Sequence, residues 1–157
     1  MAVRRVEIPL QAEIRCSAEQ VFEVIADLDG QHRWLAESPE FRGTVDVSDN
    51  PVRLGSTYRE PTPQGVRHGE VTEFEPPVRI TFHQPMDLRP FGRIDIVQRC
   101  TLEPRGDSTL VRRVATLGIP AYLRPLARHI ISTTARESER TLTALKTYCE
   151  TLPSHSP

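Results

Sequence analysis

The chain has 157 residues, 38% of them hydrophobic and 26% charged, with a formal net charge of -1 at pH 7. A chain of this length forms one domain that buries about 70% of its unfolded surface, so it needs neither disulfide nor metal to fold. The balanced, interspersed charge argues against a nucleic-acid groove, which would show a basic stripe with stacking aromatics.

From Val6 the even positions Ile8, Leu10, Ala12, Ile14 and Cys16 alternate with polar residues, the period of a strand with one wet face. Pro9 cannot donate to a ladder, so this strand lies at an edge or its regular part begins after that residue. Ser17 caps a short helix, with Gln20 three residues on completing a capping box and Val21, Phe22, Val24 and Ile25 forming the buried face. Residues 29–36, between Gly30 and Pro39, leave room for a second short helix carrying the sole tryptophan, Trp34. Between residues 41 and 117 short β-like runs alternate with turn residues, which predicts consecutive hairpins with strands near 41–48, 54–60, 66–75, 78–84, 94–103 and 108–117. The connection 85–93 stands apart, because Met86, Leu88 and Phe91 are apolar residues in a segment that ought to be solvated. A long helix follows over 121–152, and residues 153–157 are expected to be a disordered tail. No internal repeat is visible, and residues 1–152 read as a single domain.

The last helix carries the strongest signal. At about 100° per residue, Leu123, Leu126, Ala127, Ile130, Ile131, Leu142, Leu145, Tyr148, Cys149 and Leu152 share a face, and Thr134, Ser138 and Thr141 interrupt it. Small hydroxylated residues in the middle of a packed face leave volume unfilled, which a cavity wall tolerates. Alternatively, they let the helix approach a neighbour closely and bond back to the helix's own carbonyls. Both readings stay open from the sequence.

Cys16, Cys100 and Cys149 are odd in number and widely spaced, which suggests no disulfide framework or zinc site. They read as buried small hydrophobes in a reducing compartment, and the lack of a continuous apolar run near the N-terminus makes a cytoplasmic location the expectation. No stable membrane insertion is expected. There is no Gly-x-Ser-x-Gly elbow, His-Glu-x-x-His helix or Gly-rich phosphate loop, and Asp27-Leu28-Asp29-Gly30 is too short for a calcium loop. No metal and no cofactor are expected.

The order strand, two short helices, six strands, long helix predicts an α+β domain whose curved antiparallel sheet wraps the final helix and leaves a groove. The run Ser17-Ala18-Glu19-Gln20-Val21-Phe22 with Asp27 and Trp34 downstream belongs to this pattern, as do Gly55 with Tyr58. So do the stretch from Gly69 through Pro76-Pro77 to Arg79-Ile80-Thr81-Phe82, and Thr109 with Val111. Together these resemble the START-related (SRPBCC) superfamily of helix-grip ligand-binding domains, in particular its polyketide cyclase/dehydrase and lipid transport branch. The resemblance covers nearly the whole chain. It implies an elongated internal cavity for an apolar or amphipathic molecule, in a fold used for many cargoes.

Strand parity suggests which polar side chains face that cavity. Gln98 shares a face with Ile94, Ile96, Cys100 and Leu102, Tyr58 pairs with Leu54, and Glu70 with Phe74. In the last strand Leu110 and Val114 would put Arg112 inside, whereas Val111 and Ala115 would put Arg113 there; Arg112 is slightly favoured. His83 is expected outside the core, His68 near a turn, and His129 on the charged side of the long helix. The candidate ligand-binding set is Trp34, Tyr58, Glu70, Phe82, Ile96, Gln98, Arg112, Ile130, Thr134 and Ser138, with Met86, Leu88 and Phe91 as a gate. Glu70, Tyr58 and Arg112 are the candidates for acid–base chemistry, against the plainer reading of a rim ion pair and core aromatics.

Three functions are compatible with this pattern. The first is a carrier for a small hydrophobic molecule such as a lipid, a polyketide-like aromatic or another secondary metabolite. The second is a cyclase, aromatase or dehydratase that holds a poly-β-keto chain in one conformation. The third is a protein-interaction module. The expected assembly is a monomer or homodimer.

Overall fold

The period-two alternation at the start of the chain becomes strand β1 (Val3–Ile14), which among the described residues pairs only with β7 (Ser108–Pro120). Pro9 is tolerated there because β1 forms one edge of the sheet and its missing N–H leaves no neighbour unsatisfied. The computed structural model describes residues 3–88 and 90–153. Between its two ends the sheet contains β2 (Thr57–Thr62), β3 (Gly65–Glu75), β4 (Arg79–His83), β5 (Met86–Leu88) and β6 (Gly92–Arg105). The order is β1-β7-β6-β4-β3-β2, with every pairing antiparallel and β5 held between β3 and β6. With helices α1 (Ala18–Ala26) and α2 (Ala127–Cys149), this is the α+β helix-grip fold.

Local chemistry sets the helix ends. Ser17 Oγ accepts from the Gln20 backbone N–H at 3.2 Å and so caps α1. The Gln20 amide does not close the reciprocal half of a capping box; its Nε2 donates to the Pro153 carbonyl at 2.8 Å and ties the C-terminal end to α1. The predicted helix over 121–152 is divided, since residues Ala121–Leu126, with Pro125 among them, form a 3-10 segment before α2 begins.

Three expectations are corrected. Residues 41–48 form no strand, only isolated bridges of Ser38 with Phe41 and of Val45 with Arg59. Gly43 at φ 96° and Asp46 at φ 54° bend the backbone out of the extended region. The second short helix shrinks to a single 3-10 turn, Gln31–Arg33. The connection 85–93 is partly strand: β5 continues the line of β4 after a break at Gln84-Pro85, pairing Met86 with Arg67 and with Ile94. Of the expected tail 153–157, residues 154–157 lie outside the described residues, as does Arg89 of the 85–93 connection.

The apolar interior is divided in two. One cluster joins α1, including Val21, Phe22 and Ile25, to Ile80, Phe82, Leu102 and Val111 of the sheet and to Leu142, Leu145 and Cys149 of α2. The other joins Ile94, Ile96, Leu117 and Ile119 to Leu123 and Ala127, with Ile130, Ile131 and Ala135 packed on it. Each half of α2 is therefore anchored in its own cluster. Thr134, Ser138 and Thr141 fall between them.

Gly69 of β3 sits opposite Tyr58 of β2, and a Cβ there would come 2.0 Å from the tyrosine ring. The ring lies flat over this glycine. Gly69→Ala is expected to destabilise the protein by about 2 kcal/mol through overpacking, measured by urea unfolding. An unchanged midpoint would show that the ring is free to move.

Candidate ligand-binding site

A cavity of about 470 Å³ lies between the inner face of the sheet and the middle of α2. Its walls draw on both apolar clusters, with Ile25, Leu28, Phe82 and Leu142 from one and Ile94, Ile96 and Ile130 from the other. Thr134, Ser138 and Thr141 all line it. The Thr134 and Thr141 hydroxyls donate to the carbonyls of Ile130 (2.8 Å) and Glu137 (2.9 Å), one turn back on the helix. The two sequence readings of this patch are thus combined, because hydroxyls satisfied by their own helix present short side chains to an open space.

Of the sequence candidates, Trp34, Tyr58, Phe82, Ile96, Gln98, Ile130, Thr134 and Ser138 line the cavity. Met86, Leu88 and Phe91 border it too, Met86 and Leu88 from β5 and Phe91 from the turn after it, where it is 57% exposed. Glu70 and Arg112 do not line it. Glu70 is exposed, because the register of β3 shifts between Val71 and Glu73. Parity counted back from Phe74 fails across that bulge, and Arg67, Gly69 and Val71 are the inward residues on its far side. Arg112 is exposed and pairs with Glu103 at 3.6 Å, since β7 alternates without interruption and Val111, Arg113 and Ala115 point inward. Leu110, which misleads the parity reading, is buried on the opposite face from Val111.

His83 and His68 lie outside, facing Asp95 (2.6 Å) and Asp87 (3.7 Å). His129 differs from expectation: although exposed, it borders the cavity mouth beside Leu126 and Ile130.

The sequence reading missed most of the charged lining. Glu60 and Arg67 face each other across β2 and β3, with Arg67 Nε donating to Glu60 Oε1 at 3.2 Å and side chains only 9% and 14% exposed, respectively. A terminal nitrogen of Arg67 also donates to the Glu40 carbonyl at 3.1 Å. Glu137 of α2 accepts from Ser38 Oγ at 2.7 Å and from Arg140. Burial pushes its carboxyl upward, but these hydrogen bonds and the Arg140 charge outweigh that and hold it below the ordinary glutamate range.

Arg113 is arranged differently. Its Nε donates to Ser138 Oγ at 3.1 Å and a terminal nitrogen reaches Cys100 Sγ at 3.9 Å, with no ion pair to a carboxylate among the described residues. Tyr58 donates to Gln84 Oε1 at 2.6 Å and meets Phe82 edge-on, ring centroids 5.9 Å apart. Burial, reinforced by Glu60, keeps its phenol well above the ordinary tyrosine range, so it stays a proton donor. Gln98 Oε1 is buried and without a hydrogen-bond partner among the described residues.

All three cysteines are free and buried. Burial, with the neighbouring Cys16, pushes the Cys149 thiol up to about 12, so it acts as an apolar filler and not as a nucleophile. Among the described residues no cluster of three or more His, Cys, Asp or Glu could hold a metal, and no helix is long and apolar enough to cross a membrane.

The sequence profile of the polyketide cyclase / dehydrase and lipid transport family matches residues 5–150. The chain belongs to this family. No curated protein matches this member in sequence. Among solved structures it is similar to truncated norcoclaurine synthase from Thalictrum flavum, at 11% identity and TM-score 0.75, covering 98% of each chain. It is also similar to the Aha1 dimer from Colwellia psychrerythraea, at 18% identity and TM-score 0.69, over 93% of this chain and 97% of that one. A protein from Rhizobium leguminosarum matches at 16% identity and TM-score 0.69, over 95% and 97% of the two chains. At these identities the likeness is one of fold. It places this family member among helix-grip domains.

Proposed function

We propose that this protein binds a small apolar or amphipathic molecule in the cavity between the sheet and α2. The observation that carries the reading is the division of the core: aliphatic residues anchor both ends of α2, and short hydroxylated ones face an open space of about 470 Å³ between them. That volume falls within the range of roughly 300–1,000 Å³ usual for small-molecule sites. A ligand burying about 200 Å² of apolar surface gains roughly 5 kcal/mol from burial, and the few polar wall groups set its orientation. The fold's capacity for such cargo is supported by norcoclaurine synthase, whose structure has been determined in complex with dopamine and hydroxybenzaldehyde.

Cyclase or dehydratase chemistry is a second reading, favoured by the protonated Tyr58 hydroxyl and the Glu60 carboxylate on the cavity wall. Glu70 and Arg112 have no part in it from their places on the outer surface. The free, buried cysteines favour a reducing compartment such as the cytoplasm.

A thermal-shift panel of neutral apolar compounds, 2-naphthamide among them, tests the container. A ligand at about 100 times its Kd adds roughly 2.7 kcal/mol of stability, which for a domain of this size raises Tm by about 5–10 °C. A panel without any shift would overturn the reading.

A further inference from the structure

Two features of the cavity wall are incomplete, and they are neighbours. Gln98 is 6% exposed and lines the cavity, yet its Oε1 accepts no hydrogen bond among the described residues. A buried carbonyl left unpaired destabilises the fold until a donor reaches it. Arg113 lines the same cavity and carries five N–H donors, of which Ser138 Oγ and Cys100 Sγ engage only part, the thiol being a weak acceptor. The other charged groups on the wall are matched: Glu60 with Arg67, Glu137 with Arg140, and Glu40 with Arg136. Arg113 alone among these has no counter-charge among the described residues.

Strand register brings the two together. Cys100 pairs with Arg113 and Gln98 with Ala115, so Gln98 and Arg113 are diagonal neighbours on the inner face of β6 and β7. Such neighbours stand about 7 Å apart, a span that one ligand head can bridge. Phe82, paired with Gln98 across β4 and β6, and Ile96, two residues along β6, add apolar surface beside them.

Building on the container function proposed above, we infer that the ligand is an amphipathic organic anion: an apolar carboxylic acid that also carries a hydroxyl. Its carboxylate is received by the Arg113 guanidinium, whose planar fork matches two carboxylate oxygens, and its hydroxyl bonds to the Gln98 amide, which turns its shielded Oε1 toward the cavity to accept. Binding therefore completes both unfinished groups at once, while apolar burial holds the body of the molecule.

Isothermal titration calorimetry on the full chain tests this with 2-naphthoate, its neutral isostere 2-naphthamide, and monohydroxy-2-naphthoates whose hydroxyl is remote from the carboxylate. The wild type is expected to bind 2-naphthoate at least about ten-fold more tightly than the amide, as a charge-assisted pair in a partly dry site requires. In Arg113→Met that preference collapses, and Arg113→Lys keeps part of it. At least one hydroxylated acid binds several-fold more tightly than 2-naphthoate, and Gln98→Leu removes this gain but not the preference for charge. A cooperative melting transition in each variant shows that it is folded. Equal affinity of the wild type for acid and amide, or an undiminished preference in Arg113→Met, overturns the anion assignment and leaves the container standing. Failure of every hydroxylated acid to gain overturns the role of Gln98. If none of the probes binds, the container reading falls and this inference falls with it.

Discussion

Thr134→Phe is expected to weaken binding of 2-naphthamide by at least about 100-fold while leaving Tm at or above that of the wild type. Inserting a large side chain into a filled core costs about 1–3 kcal/mol, because neighbours must leave their rotamers. Thr134 instead borders an open space of about 470 Å³. Among the described residues the hydroxyl lost in the exchange bonds only to Ile130 of the same helix, a back-bond that adds little to helix stability. The phenylalanine ring gains contact with the apolar wall and occupies the room the ligand needs. Calorimetric titration and a melting curve check both halves. A steep fall in Tm would mean that the centre of α2 has no space beneath it.

Arg67→Met should cost about 3 kcal/mol of unfolding free energy, because it strands a buried carboxylate. Glu60 and Arg67 sit directly opposite each other on β2 and β3, both largely shielded from water, and among the described residues the remaining hydrogen-bond partner of Glu60 is the Thr44 hydroxyl, at 3.4 Å and shared with Gln31. Replacing both residues by methionine is expected to recover most of the loss, since a buried pair exchanged for apolar side chains of similar volume is often neutral. Urea unfolding of the two single variants and the double variant gives the coupling. A loss under about 1 kcal/mol in Arg67→Met would show that the pair behaves as a solvated surface bridge.

Most of the architecture was legible because period-two and helical patterns report one-sided burial directly. The strands at 66–75, 94–103 and 108–117 agree to within a few residues, and the final helix agrees at its C-terminal end but begins at Ala127, after a 3-10 segment. The Thr134, Ser138, Thr141 interruption located the wall of the cavity. What escaped was set by backbone features that side-chain pattern does not encode. Two left-handed residues, Gly43 and Asp46, keep 41–48 out of the sheet. Pro85 breaks the line of β4 and made β5 look like a loop, though the apolar Met86 and Leu88 had already marked the segment as unusual. The bulge in β3 exchanged Glu70 for Arg67 at the cavity wall. Arg113 was legible in principle: Val111, Ala115 and Leu117 outvote Leu110 and Val114 when the whole strand is counted.

The divided core has a mechanical consequence. Helix α2 is held by apolar packing toward both ends, while its centre is tied by polar contacts such as Arg113 with Ser138 and Ser38 with Glu137, like a beam resting on two piers with light ties at midspan. A molecule lodged beneath the midspan would stiffen that stretch while the anchored ends stay as they are. Full and empty forms would then differ in the motion of the helix's middle turns and share one outline.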